Sequence, residues 1–321
     1  MLIVGAGMAG LLAGHILRRH RPLIVEAQES LPNNHAALLR FKTPKVSEAT
    51  GIPFLKVYVR KAVMTSKGLS DRPSLADNNE YSIKVTGEAL DRSVLDLSPG
   101  ERYIAPEDFI SQMESNLNIQ FGYKWNPTRD EFDINQPEDG TIISTVPMPT
   151  LMKMVEWPAI PEFKHKRIWT VTAYVEDPPA SLYQTIYYPD RRRDYYRASL
   201  TGNRLSLEYI QSVEREIAQM DVMKVLDDFG IYHPKWNMKP LIHYHEEYIK
   251  AQFYGKLLPI DEMERKAFII GMTDKYDIWS LGRFATWRQI LLDDVVDDVK
   301  FIDRVVTQKD QYHRRMHHHN S

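Results

Sequence analysis

The chain of 321 residues contains no cysteine. That absence excludes disulfides, Cys-ligated zinc, iron–sulfur clusters and cysteine nucleophiles together. A reducing compartment suits such a chain, and a cytoplasmic location is the expectation. No apolar run approaches the about 20 residues needed to cross a bilayer. Met1-Leu2-Ile3-Val4 also lacks the basic leader of a signal peptide. Neither sign of charge is in excess: 41 Lys and Arg stand against 43 Asp and Glu, a formal net charge of −2. Global charge therefore gives no reason to expect nucleic acid or a membrane as partner. A small-molecule substrate is the expected partner, and the oligomeric state is left open.

What is present begins at the first residues. Leu2-Ile3-Val4 is a short apolar run, followed by Gly5-Ala6-Gly7-Met8-Ala9-Gly10 and then by Leu11–Leu17, which reads as a helix. A second apolar run, Leu23-Ile24-Val25, ends in Glu26 and Ala27. The order is strand, G-x-G-x-x-G turn, helix, strand, acid. In this order each part has a task. Gly5 permits the tight turn, Gly7 lets a pyrophosphate approach the backbone, and Gly10 lets the helix pack closely on the strand. The helix start offers unpaired N–H groups to phosphate oxygens. Glu26 can accept hydrogen bonds from both ribose hydroxyls of an adenosine and would repel a 2′-phosphate. The spacing predicts a dinucleotide site without separating FAD from NAD.

Further along, Phe54–Val59 alternates as a strand, and residues 66–100 read as a polar excursion. Ala105–Met113 opens like a helix, with Pro and acids in its first turn. Asp139–Pro147 reads as a buried strand ending in a polar turn at Thr145. Ile168–Val175, Thr185–Tyr188 and Leu205–Ile210 predict strands of an antiparallel sheet, and 211–229 a helix. The span 234–268 reads as loop-rich. Near the end, Ser280-Leu281-Gly282-Arg283-Phe284-Ala285-Thr286-Trp287-Arg288 and then Leu291–Val299 predict a strand, a loop and a closing helix, with Asp293, Asp294 and Val295 at the helix start. Residues 316–321 are expected to form a flexible tail.

These two ends together resemble the FAD-binding proteins of the UDP-galactopyranose mutase and protoporphyrinogen/amine oxidase type. In those families an N-terminal glycine fingerprint is answered at the C-terminus by a Gly-Arg segment that closes over the flavin. Gly282-Arg283, Thr286-Trp287-Arg288 and Asp293-Asp294 look most like the mutase version. The resemblance implies FAD as cofactor, Arg283 near its pyrophosphate, the backbone around Leu292–Val295 near the flavin and ribityl chain, and Thr145 beneath the FAD. It implies an α/β fold: a Rossmann-like FAD-binding domain (1–65, 101–150 and 265–315) with an inserted mixed or antiparallel-sheet substrate domain (66–100 and 151–264). The function expected is an FAD-dependent oxidoreductase acting by hydride transfer to flavin on a small polar substrate, with an amine suggested by family analogy. The alternatives are a non-redox, flavin-dependent mutase of a nucleotide sugar and a non-catalytic FAD-binding protein.

No nucleophile elbow or catalytic triad is recognisable, as suits an enzyme whose cofactor carries the chemistry. Arg40 and Lys42 are candidates for stabilising negative charge on reduced flavin or for binding an anionic substrate, and His35 for proton exchange. Tyr187–Arg197 interleaves bases with aromatics, which reads either as a hairpin with Arg191–Arg193 at its turn or as a grip on a phosphorylated substrate. Arg197, back inside strand-like sequence, is its better functional candidate. His243 and His245 share a strand face without a third ligand at matching spacing, so no metal is expected. Trp157, Trp169, Trp236 and Trp279 read as core or cleft walls.

Overall fold

The computed structural model describes residues 1–31, 39–89, 92–127, 140–176, 181–231 and 241–319, with side chains of the last helix as far as Lys309. His35 and Trp236 lie outside the described residues. In chain order the strands are β1 (Leu2–Val4), β2 (Leu23–Val25), β3 (Arg40–Phe41), β4 (Leu55–Thr65), β5 (Gly68–Ser70), β6 (Gly100–Ile104), β7 (Ile119–Gln120), β8 (Ile142–Ser144), β9 (His165–Val175), β10 (Leu182–Tyr187), β11 (Tyr195–Gly202), β12 (Arg204–Tyr209), β13 (Ile242–His243), β14 (Ile249–Leu257) and β15 (Ile278–Ser280). The helices are α1 (Met8–Ile16), α2 (Lys45–Thr50), α3 (Leu75–Thr86), α4 (Phe109–Glu114), α5 (Met148–Met154), α6 (Arg215–Asp228), α7 (Glu262–Tyr276) and α8 (Leu292–His319).

One sheet has five strands in the order β15-β8-β1-β2-β7, and every pairing in it is parallel. Parallel strands covered on both faces read as continuous apolar runs, and Leu-Ile-Val serves for both β1 and β2. The alternation sorts the two faces. Ile3, Ile24 and Ile143 pack on one side with Leu11 and Leu12 of α1, Phe109 and Met113 of α4, and Val295, Val299 and Ile302 of α8. Leu2, Val4, Val25 and Ile142 pack on the other with Met148 and Leu151 of α5 and Phe268 and Met272 of α7. In α8, Val295, Val299, Ile302 and Val306 recur at helical spacing and are buried, so this one stripe holds the closing helix to the sheet. The helix runs to His319, into the span read from sequence as a tail.

The second sheet runs β13-β9-β12-β11-β10-β4-β6-β3, with β14 also on β9 and β5 also on β4. It is antiparallel except where β10 meets β4. One face is apolar: Val171, Ala173, Ile186, Ala198, Leu200, Leu205, Leu207 and Tyr209 pack under Val222, Val225 and Leu226 of α6. The opposite face carries Thr170, Thr172, Thr185, Ser199, Thr201 and Ser206, all buried. The sheet curls, and Arg40 on β3 donates from Nη2 to Thr185 Oγ1 on β10 at 2.6 Å.

Three spans differ from the sequence reading. Strands β3, β4 and β6 come from 40–65 and 100–104, read as cofactor domain, yet hydrogen-bond into the larger sheet. β4 is long enough to pair with β6 along its first half and β10 along its second, so it serves as the spine of that sheet. Residues 66–100 are more than a solvated excursion. Ser74 and Asp77 form a capping box at the start of α3, and Tyr81, Val85, Val94 and Leu97 bury a satellite core against Tyr196. The span 234–268 contains β14 and the start of α7; its many polar and aromatic residues hid a strand whose alternation is broken by a bulge.

Candidate functional site

The C-terminal ends of β1, β2, β8 and β15 meet at the glycine turn. In parallel α/β sheets this is the end at which ligands bind. α1 begins there with Gly7 at its N-cap and no side chain capping it, so its first amides are left for a ligand. A Cβ on Gly10 would stand 1.9 Å from Gly5 O, which fixes glycine at that position for the helix to leave the strand as it does. A Cβ on Gly7, by contrast, would meet nothing within 4 Å. The space over Gly7 is open, and Met8 and Ala9 beside it are only partly buried. Glu26, just past β2, bends back: Oε2 accepts from Ala6 N at 2.7 Å and Oε1 from Gln28 N at 3.0 Å. The carboxylate is thereby held beside the turn, with the exposed Ala27 following it. Thr145, one residue past β8, donates to Val4 O at 2.8 Å. Open space over one glycine, uncapped amides and an oriented carboxylate together form a cradle that could hold a dinucleotide.

The closing segment reaches this cradle. Gly282 has φ of +90°, and a Cβ there would stand 2.7 Å from Ala9 Cβ, so the C-terminal segment lies directly on the start of α1. Arg283 turns toward the larger sheet, donating from Nη2 to Gly255 O at 3.2 Å, while its buried Nε has no partner. Asp293 accepts from Thr43 Oγ1, and its other oxygen is buried without a partner. Asp294 caps its own helix by accepting from Leu291 N at 2.7 Å. Val295 packs in the core that includes Ala6 and Leu11. Arg288 pairs with Asp298, and Trp287 donates to Leu258 O at 3.0 Å. The orphaned polar atoms on Arg283 and Asp293 fit a polar group held between the turn and the closing segment.

The hydroxyl-lined face of the curled sheet carries a second set of charged groups. Arg40 keeps Nη1 buried without a partner. Burial and the nearby Arg197 charge pull it down to about 10, so it stays charged at neutral pH. Arg197 is not a free cation: its Nε and Nη2 both donate to Glu208 Oε1, and Tyr196 Oη donates to Glu208 Oε2. Burial alone would raise the Glu208 carboxyl, but the charges of Arg197 and Lys256 outweigh it and hold it below its ordinary value. Lys256 Nζ rests over the Tyr196 ring, 5.1 Å from its centroid. Burial, then Arg197, Arg92 and Arg283, push its amine down to about 7.

Of the remaining sequence candidates, the Tyr187–Arg197 stretch is the β10–β11 hairpin, with Tyr188, Tyr195 and Tyr196 buried. Arg192, exposed, pairs with Asp190, and the half-buried Arg193 pairs with Asp228. His243 pairs with Glu176 at 2.8 Å, and no group of His, Asp and Glu suited to a metal exists among the described residues. Among them, too, no helix is long and apolar enough to cross a membrane. Sequence reasoning missed Glu208 and Lys256. Glu208 was legible, since Ser206 and Glu208 alternate with Leu205, Leu207 and Tyr209. Lys256 was hidden by the irregularity in β14 between Gln252 and Lys256.

Solved structures share this fold over nearly its whole length. Reduced UDP-galactopyranose mutase superposes with a TM-score of 0.64 at 15% identity, covering 96% of this chain and 93% of that one. An oxidoreductase from Methanosarcina mazei gives 0.56 at 12% identity, covering 94% and 99%. Aklavinone-11 hydroxylase, solved with FAD and aklavinone, gives 0.51 at 13% identity, covering 93% and 60%. No family model and no curated protein matches the chain by sequence. The chain thus has the Rossmann-type fold of FAD-binding flavoproteins, a parallel five-stranded sheet joined to a second, mixed sheet.

Proposed function

We propose that this chain binds FAD across the glycine turn and is a flavoenzyme, an oxidoreductase acting on a small polar substrate between its two sheets. The observation that carries the reading is the open space over Gly7, bounded by the uncapped start of α1, by Glu26 and by Gly282 of the closing segment. Glu26 would hold the adenosine ribose, the α1 amides the pyrophosphate, and the Asp293–Val295 helix start would lie toward the flavin and ribityl chain. When bound, the flavin would supply the electron and hydride acceptance that amino-acid side chains lack. The chain's own residues do the rest. The hydroxyls of Thr185 and Ser199, 3.0 Å apart, offer hydrogen bonds to a polar substrate. Arg40 adds a fixed positive charge beside them, and the curled sheet screens the site from water.

The extent of the likeness to the mutase over both chains favours keeping a second reading, a non-redox flavin-dependent isomerisation of a nucleotide sugar. The test is a visible spectrum of the purified protein, followed by denaturation and mass analysis of what is released. A flavin double band whose chromophore leaves with the mass of FAD supports the proposal. A colourless chain that neither carries nor takes up FAD sinks it. Anaerobic addition of substrates then separates the readings: an oxidoreductase is bleached by its substrate once per turnover, whereas a mutase needs pre-reduced flavin and shows no net redox change. Bound FAD that no substrate reduces or uses would point to the non-catalytic reading.

A further inference from the structure

Among the described residues, the junction between the two sheets holds more positive charge than its acids offset. Lys256 stands just past the bulge in β14, where the pairing with β9 slips between Gln252↔Ile168 and Lys256↔Lys166. Bulges re-aim side chains, and this one has a fixed geometry. A Cβ on Gly255 would meet Ile168 at 2.4 Å, so the strand can approach β9 only with glycine there, and the carbonyl of Gly255 is turned to accept from Arg283. Arg283 is thereby held on the backbone of the residue before Lys256, and its charge acts on the Lys256 amine.

The groups facing the Lys256 amine come from several elements. They are Tyr196 and Arg197 on β11, Glu208 on β12, Arg92 ahead of β6, and Arg283 after β15. Lys166, its cross-strand partner on β9, directs its own amine toward Gly87 instead. The acid in this group is Glu208, and it is already bonded to Arg197 and Tyr196. Among the described residues, Lys256, Arg283 and Arg92 share no carboxylate beyond Glu208, whose oxygens are already taken by Arg197 and Tyr196. Lys256 makes no hydrogen bond among the described residues, and Arg283 Nε is buried without one. Like charges held together at a partly buried site cost free energy unless an anion joins them.

We infer that Lys256 and Arg283, with Arg92 beside them, form an anion subsite at the junction of the two sheets, built to hold a carboxylate or phosphate group of the substrate. The word substrate rests on the function proposed above; the anion subsite does not. The subsite sets the substrate class. A simple cationic amine would be repelled here, whereas a molecule with an acidic group would be anchored with its remaining atoms lying along the Thr185–Ser199 face. It also predicts a proton balance. An anion favours the charged form of Lys256, whose amine is held near neutrality when the site is empty, so binding above pH 7 takes up a proton.

The experiment is calorimetric titration of the full chain, loaded with FAD, with inorganic phosphate and separately with succinate at about pH 8. Each titration is run in two buffers of different ionisation enthalpy so that protons are counted. Binding of at least one anion is expected, with uptake approaching about one proton, phosphate alone indicating a phosphoryl group and succinate alone a carboxylate. Lys256→Met should weaken binding about tenfold or more and abolish the uptake. Lys256→Arg, which keeps the charge and is the safer variant for folding, should retain binding and lose only the uptake. The inference is overturned if neither anion binds, or if wild type and Lys256→Arg take up the same number of protons. It is also overturned if Lys256→Met loses FAD affinity while binding phosphate normally, for then the cations serve the cofactor's own phosphates. A chain that takes up no FAD but still binds phosphate with proton uptake would fail the functional proposal and leave the subsite standing.

Discussion

Thr145 Oγ1 occupies the space that a side chain on Gly5 would need: a Cβ built on Gly5 would stand 2.3 Å from it. The same hydroxyl donates to Val4 O at 2.8 Å, so it cannot swing away without leaving that bond. Gly5 also has φ of +94°, a conformation that side chains resist. Gly5→Ala therefore meets both a clash and backbone strain, and should lower stability by about 3 kcal/mol, read as a fall in the urea midpoint at unchanged slope. The double variant Gly5→Ala/Thr145→Ala should recover the part due to the clash and keep the part due to φ. Equal losses in the single and double variants would show that the hydroxyl does not set the identity of residue 5.

Glu26 is tied to the turn rather than to solvent, through Ala6 N and Gln28 N. In the proposed site the carboxylate so held accepts from the adenosine ribose, and a hydrogen bond to a charged group contributes about 1.5–3 kcal/mol. Glu26→Ala should therefore weaken FAD binding by about tenfold to a hundredfold, measured by flavin fluorescence on titrating the flavin-free chain. Its melting temperature without FAD should also fall, because the bonds to Ala6 N and Gln28 N go with the carboxylate. Unchanged affinity would remove Glu26 from the cofactor site.

Lys84 anchors the outer end of the β10–β11 hairpin. Its buried Nζ donates to Tyr188 O at 3.0 Å, Asp190 O at 2.8 Å and Tyr195 O at 2.7 Å. Lys84→Met fills similar volume but leaves these carbonyls without their donor, at a cost of about 3 kcal/mol. The hairpin should also show faster amide exchange at Tyr188, whose N–H donates to Tyr196 O at 2.9 Å. Slow exchange there in the variant would mean that the tyrosine packing alone holds the hairpin.

Much of the glycine-turn end of the parallel sheet was legible because its constraints are local. The turn from Gly5 to Gly10, the acid at Glu26 and the Gly282 approach each need a particular residue within a few positions of a strand end, so the pattern survives in one dimension. The parallel strands announced themselves as unbroken apolar runs. The curled sheet was harder. Alternation marks β4 as a strand but does not say which sheet it joins, and its pairing with β10 depends on residues more than a hundred positions away. Lys256 was invisible for a related reason: the Gly255 bulge breaks the period that would have assigned its face. Arg197 was picked out as an isolated cation inside a strand, whereas its role depends on Glu208 across the ladder.

That pair yields the last prediction. Arg197 and Glu208 are both largely withdrawn from solvent, and removing one partner of such a pair leaves the other charge uncompensated, at a cost of about 3–5 kcal/mol. Arg197→Met should be destabilised by that order at pH 7, and Arg197→Met/Glu208→Gln by much less, since no charge is then stranded. The pH dependence separates this from loss of packing. In the wild type the folded-state Glu208 carboxyl lies below its ordinary value. Its contribution is therefore fully present above the unfolded value near pH 4.5 and is lost as the pH falls through the lower folded value. In Arg197→Met the sign reverses. Burial, no longer outweighed by the arginine, raises the carboxyl, so the folded state binds a proton more readily than the unfolded state. The deficit should be largest at neutral pH and shrink as the pH falls toward 4.5. Urea unfolding of the three proteins at about pH 5 and pH 7 reads this directly. A deficit that stays the same at both pH values, or persists in the double variant, would mean that the aliphatic stem of Arg197 matters and its charge does not.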